Sequence, residues 1–165
     1  MIPFPTGMRM AAVGDEDRIF ALFVVAHAEN GYGTMDPIIV KAMIHRGCRG
    51  ESVVIAIIDG PERIEAAIAL TPEKRWYAAT DDRANWYNAD LLIFVHPLHR
   101  RSRHALKLFQ FARWWEFESK LPVILGLVAK EDMERKEEFF NRYGKRVGGW
   151  YLVGDIDVWE GNKPQ

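Results

Sequence analysis

The sequence predicts a mixed α/β layer: a central sheet of about six strands flanked by about four helices, in one domain over residues 1–165. Three observations carry this. ADLLIFV (89–95) and PVILGLVA (122–129) are continuously apolar, the mark of strands covered on both faces. Segments of helical period alternate with them, as in SRHALKLFQFARWWEFESKL. Apolar residues make up 48% of the chain, with six Trp, nine Phe and five Tyr, enough to fill a core at this length.

Taken in order, MRMAAV (8–13) reads as a short strand. Asp15 caps a helix whose stripe is Ile19, Leu22, Phe23 and Ala26, and which ends near Asn30-Gly31. Asp36-Pro37 opens a second helix through about Arg46, and Gly47 and Gly50 bracket the turn after it. The runs 52–59 and 63–71 flank Gly60-Pro61 as a hairpin. The interval 72–88 is polar but holds Trp76, Tyr77, Trp86 and Tyr87, and reads as a long loop of the functional kind or a lid on the sheet edge. Strand 89–95 leads to a helix from Ser102, strand 122–129 to a helix closed by Gly144, and RVGGWYLVG makes a last strand. Crossovers in the parallel part are expected to be right-handed. The tail 155–165, with Trp159, packs on a neighbour or frays, and a homodimer is among the expected assemblies.

Charge and cysteine content exclude several classes. Lys and Arg total 22 against 23 Asp and Glu, so this is no general polyanion binder and a basic cluster must act locally. Cys48 stands alone, which leaves no internal disulfide framework and no cysteine metal cluster. The beginning lacks a basic n-region with a long apolar segment, and no run approaches 18 apolar residues, so a soluble, cytoplasmic setting is expected.

VHPLHRRSRHALKL, from Val95, places Arg100, Arg101, Arg103 and His104 where a buried strand turns into a helix. The first amides of a helix lack partners and its dipole adds partial positive charge there, which suits an anion. Cations at that end are disfavoured by about 0.3–1 kcal/mol each, so three arginines make sense beside a bound anion.

The segment resembles the acetyl-CoA-binding motif of the GNAT superfamily of N-acetyltransferases, V-x-P-x-x-[RQ]-x-x-G-x-[GA]-x-x-L. Val95, Pro97, Arg100, Ala105 and Leu108 fall in register, and the element order resembles that fold from about Met8 to Val153. The resemblance implies pantetheine contacts at Phe94 and Val95 and pyrophosphate contacts from Arg100, Arg101, Ser102, Arg103, His104 and Ala105, with Asn141 also at the coenzyme. Arg103 stands where the family carries a glycine, a place a helical backbone tolerates. The form HRRSRHA resembles a variant of bacteriophage-encoded acetyltransferases, which would place the protein in a host cytoplasm. FFNRYGKRVGGWYL is similar to the family's C-terminal motif, with Arg142 and Gly144 aligned. Phe140 stands where the general-acid tyrosine usually lies. Tyr143 is a neighbour of that position, rotated by about 300° on an ideal helix, and is either an acid or helix-end packing.

The implied activity is transfer of an acetyl group to a primary amine by direct attack in a ternary complex. An alkyl amine with a pKa near 10.4 is about 0.04% neutral at pH 7, a penalty of about 4.6 kcal/mol, so some group must take its proton. Asp90, Asp81, Asp82, Glu29 and His27 are the candidates. Counting back from Val95, the family's usual glutamate position falls on Ala89, and Asp90 faces the other side of an ideal strand. The acceptor, a small-molecule or protein amine or a modified nucleobase, would meet Glu29, Trp76, Tyr77, Asp81, Asp82 and Trp86. Aromatic faces and carboxylates there suit a cation. No metal site is expected: His96, His99 and His104 lack the spacing of a helical zinc pair and no carboxylate lies at a suitable offset. Two other readings stay open. One is a GNAT-fold binding or regulatory module with weak or no catalysis; the other is a nucleic-acid module, which one basic cluster supplies with few phosphate contacts.

Overall fold

The computed structural model describes residues 2–30, 34–75, 83–126 and 133–146. Within them the order is β1 (Arg9–Met10), α1 (Glu16–Asn30), α2 (Pro37–Cys48), β2 (Val54–Asp59), β3 (Ile64–Lys74), β4 (Trp86–Val95), α3 (His104–Ser119), β5 (Val123–Ile124) and α4 (Met133–Tyr143). These five strands form one sheet in the order β1-β2-β3-β4-β5. Pairing is antiparallel from β1 to β4 and parallel between β4 and β5, the α3 crossover joining the last two. The mixed layer matches the expectation; the sixth expected strand, 146–154, lies almost wholly outside the described residues, as does the end of 122–129. Among the described residues no helix is long and apolar enough to cross a membrane.

The sheet is covered on both faces. One face packs Ile55, Ile57, Ala67, Ala69 and Phe94 against Ile19, Leu22, Phe23 and Ala26 of α1 and Ile44 and Cys48 of α2. The other packs Ala56, Ile58, Ala66, Ile68 and Leu70 against Leu108, Phe111 and Ala112 of α3. Full cover explains why β2 and β3 are apolar at consecutive positions, since neither face meets water.

Local chemistry sets the ends. Asp36 caps α2 with its carboxylate, accepting from the amides of Ile38 at 2.8 Å and Ile39 at 3.4 Å, with Pro37 as first residue. The β2–β3 hairpin closes through Gly60 N–H donating to Arg63 O at 2.9 Å. Asp15 departs from the expected cap. Its carboxylate accepts two bonds from Arg9, at 2.6 and 2.8 Å, and one from the Ala12 amide, so it ties β1 to α1 rather than capping α1. Arg9 and Arg18 also meet Asp59, each at 2.5 Å, extending the tie to β2. The Arg9 guanidinium holds the Asp15 carboxyl below its ordinary value.

Two boundaries correct the sequence reading. The interval 72–88 is not one long loop: β3 runs on to Lys74 and β4 starts at Trp86, these two being paired. The helix expected from Ser102 starts at His104, because Ser102 folds into the turn and its hydroxyl accepts from the His104 amide at 3.1 Å.

Candidate functional site

The site begins where β4 and β5 part. They pair only at Asn88↔Val123 and Ala89↔Ile124, whereas β4 follows β3 to Ala66↔Val95. Beyond Ala89, no described strand pairs with the outer edge of β4. Asp90 sits at the fork and its Oδ1 accepts the Gly126 amide at 2.6 Å, binding the diverging chain. Burial pushes the Asp90 carboxyl above its ordinary value, and the Gly126 bond offsets only part of that.

Which β4 amides face the opening follows from the ladder. His96 N–H donates to Glu65 O at 2.8 Å, so His96 and Phe94 direct their groups to β3, while Ile93 and Val95 direct theirs outward. Phe94 is thereby removed as an amide contact; its ring is buried in the α1–α2 core. Val95 keeps its place, joined by Ile93. The facing of Asp90 is also corrected. Ala69 pairs with Leu92 and Leu70 with Asp90, leaving Leu91 as an extra bulged residue. The bulge turns Asp90 onto the α3 face, opposite Leu70, which is the face of Ile93 and Val95.

After β4 the chain makes a short 3-10 turn, Pro97–His99. Hydrogen bonds engage the amides of His99, Arg100, Ser102 and His104 within the turn. Those of Arg101, Arg103, Ala105 and Leu106 find no acceptor among the described residues, and they cluster at the start of α3. Unpartnered amides at a helix start are groups of the kind that suit an anion. Arg103 has φ −88° and ψ 13°, so the position where the family carries glycine needs no left-handed backbone here. Arg101, Ser102 and Arg103 are exposed, and Ala105 is half-buried.

Arg100 departs from expectation. Its guanidinium pairs with Glu29 at the end of α1, and Lys136 of α4 lies 3.5 Å from the same carboxylate and donates to Asn30 at 3.2 Å. Glu29 is thus a neutralised strut between α1, the turn and α4, and Arg100 serves that strut. Sequence inspection carried no signal for Lys136.

The α4 residues make an aromatic cluster. Phe109 of α3 meets Phe139 at 5.1 Å and Phe140 at 4.9 Å, both edge-on, and Tyr143 packs on Phe139 at 4.9 Å. Phe140 is therefore a packing residue. The Tyr143 hydroxyl has no hydrogen-bond partner among the described residues, and the residue is 41% exposed. Asn141 is exposed and Trp86 half-buried at the base of the β3–β4 hairpin. Neighbouring Tyr87 donates to Glu73 at 3.0 Å. Trp76, Tyr77, Asp81 and Asp82 lie outside the described residues.

Missed from the sequence was Glu65. It comes off β3 beneath the turn, with its carboxylate 2.6 Å from His104 Nε2 and 3.6 Å from His99 Nδ1. An acid inside the buried run IEAAIAL was the available signal. A surface cavity of about 330 Å³ between α1 and α2 is lined by Glu16, Asp17, Lys41 and His45 and is separate from the turn.

No protein-family model and no curated protein matches the sequence. Solved structures match the fold. A predicted acetyltransferase from Clostridium acetobutylicum, with acetyl-CoA, superposes with TM-score 0.68 at 12% identity over 92% of this chain and 96% of that one. An aminoglycoside 6′-N-acetyltransferase from Acinetobacter haemolyticus gives 0.64 at 13% identity, over 90% and 96%. AAC(6′)-Iy with the bisubstrate analogue CoA-S-monomethyl-acetylneamine gives 0.67 at 9% identity, again over 90% and 96%. The chain has the fold of the GNAT acetyltransferases.

Proposed function

We propose that this chain is an acetyl-CoA-dependent N-acetyltransferase acting on a primary amine by direct attack. The observation that carries the proposal is the set of amides at the start of α3 with no acceptor among the described residues, beside a β4 edge that no described strand pairs with beyond Ala89. The residues present fit the coenzyme. Amides of Arg101, Arg103, Ala105 and Leu106 suit a diphosphate, and the outward groups of Ile93 and Val95 suit an amide-bearing arm laid along the strand. The coenzyme supplies an activated thioester carbonyl when bound.

The chain's own part is alignment and proton handling. An outward β4 amide can donate to the carbonyl oxygen as charge develops there, and the fork holds the two reactants in register. Asp90 is the best-placed base by environment, since a carboxyl raised by burial binds a proton more readily than a solvated one. It lies about 10 Å along the strand from Ile93, so its proton arrives through water. With Phe140 lacking a hydroxyl, the thiolate leaves near its ordinary pKa of about 8.5 or takes a proton from Tyr143 or solvent. Aminoglycosides are the acceptor class to try first, on the strength of two of the similar folds.

The test is thiol release from acetyl-CoA across a panel of amines, with calorimetry of coenzyme binding in parallel. Binding together with amine-dependent thiol release is the expected result. Binding without release on any amine would favour a non-catalytic module, and no binding at millimolar coenzyme would overturn the proposal.

A further inference from the structure

We propose that Glu65, His99 and His104 form a binding site for one divalent transition-metal ion, of the zinc class, under the turn between β4 and α3. Three separate parts of the chain meet there: the start of β3, the 3-10 turn and the first residue of α3. One donor atom from each residue lies within 4.8 Å of the other two. The measured pairs are 2.6 Å for His104 Nε2 to Glu65 Oε2 and 3.6 Å for His99 Nδ1 to the same oxygen. A tetrahedral ion with bonds of about 2.0–2.1 Å holds its donors about 3.4 Å apart, so small side-chain adjustments suffice.

A second observation concerns His104 itself. One ring nitrogen is committed to Glu65, while Nδ1 is buried with no hydrogen-bond partner. Buried polar atoms are seldom left so; Nδ1 diverges from Nε2 across the ring, so Nε2, beside the carboxylate, is the nitrogen that would ligate the ion, with Nδ1 left for a further hydrogen-bond partner. The three side chains are mostly shielded, at 13% exposure for His104, 17% for Glu65 and 29% for His99, which orders them without closing the site. The rings of His99 and His104 stack, with centroids 6.0 Å apart and planes at 26°. Arg100, one of the turn's three arginines, is matched by Glu29, which limits its opposition to a cation, and Arg101 and Arg103 are exposed to solvent.

Two imidazoles and a carboxylate favour zinc over magnesium or calcium, and three protein ligands leave one position for water. The ion would staple the β3 end to the turn that carries the open amides. The site stands or falls independently of the acetyl-transfer proposal.

The test uses the tag-free full chain, stripped with a chelator and titrated with zinc against a chromophoric competitor, and with cobalt(II) for its visible spectrum. The expected result is one equivalent bound, with a tetrahedral cobalt spectrum and a zinc-dependent rise in Tm. His99→Ala should weaken binding about tenfold or more and abolish the Tm rise, whereas His45→Ala, on α2, should change neither. Should His99→Ala misfold by circular dichroism, His99→Asn serves in its place. Failure to compete for zinc, or binding that survives the His99 substitution unchanged, would overturn the site.

Discussion

Asp90 illustrates how much one residue's setting can decide. Its carboxyl is raised by burial, so between the ordinary value of about 3.9 and its native value the unfolded chain has released a proton that the folded chain keeps. Proton binding then favours the folded state, and stability falls as pH rises through that window. Asp15 works in the opposite sense and lower down: lowered chiefly by Arg9, it loses its contribution as pH falls through its native value. Urea denaturation at a series of pH values should therefore show a decline above about pH 4 that Asp90→Asn removes, because the amide oxygen still accepts from Gly126 but does not titrate. If Asp90 takes the amine's proton, the same variant lowers kcat with the KM for acetyl-CoA little changed. The aspartate itself was visible in the sequence. Its face was not, since the Leu91 bulge that turns it leaves no mark in a run as uniform as ADLLIFV.

At the level of elements, α2 lies on β2 so closely that Gly47 has no room for a side chain. A Cβ there would stand 2.6 Å from Cγ1 of Ile55, nearer still to its Cδ1, and 3.4 Å from Val53. Ile55 is 1% exposed and has nowhere to retreat. Gly47→Ala should cost about 1–3 kcal/mol by overpacking, despite the better helix propensity of alanine, read as a lower urea midpoint at constant m. A neutral or stabilising result would show that α2 can lift from the sheet. Elements such as α2 and the 52–71 hairpin were legible because Asp36-Pro37 and Gly60-Pro61 act locally. The extension of β3 and β4 to Lys74 and Trp86 was not, since the β3 half, Pro72, Glu73 and Lys74, has weak strand preference and is held only by pairing with Trp86, Tyr87 and Asn88 across the sheet. Glu65 escaped for a like reason. Its partners His99 and His104 are brought to it by the β3–β4 pairing and the turn beyond, a relation no local spacing encodes.

For the molecule as a whole, sheet and helices converge on a single arrangement: a strand that no described strand follows past Ala89 on its outer edge, then a turn into α3 where the amides of Arg101, Arg103, Ala105 and Leu106 have no acceptor among the described residues. The motif from Val95 to Leu108 signalled that place, while the fate of its side chains, above all Arg100 drawn to Glu29, depended on the packing of α1 and α4. The most direct measurement is the calorimetric affinity of Ala105→Pro for coenzyme A and for pantetheine, against the parent chain. Proline in the first turn of a helix removes an amide that no helical bond uses, so the fold should survive with an unchanged Tm. Loss of one amide donor to a diphosphate should weaken coenzyme A binding about tenfold or more, leaving pantetheine, which lacks that group, unaffected. A folded Ala105→Pro chain that binds coenzyme A as tightly as the parent would contradict the placement of the diphosphate at the start of α3.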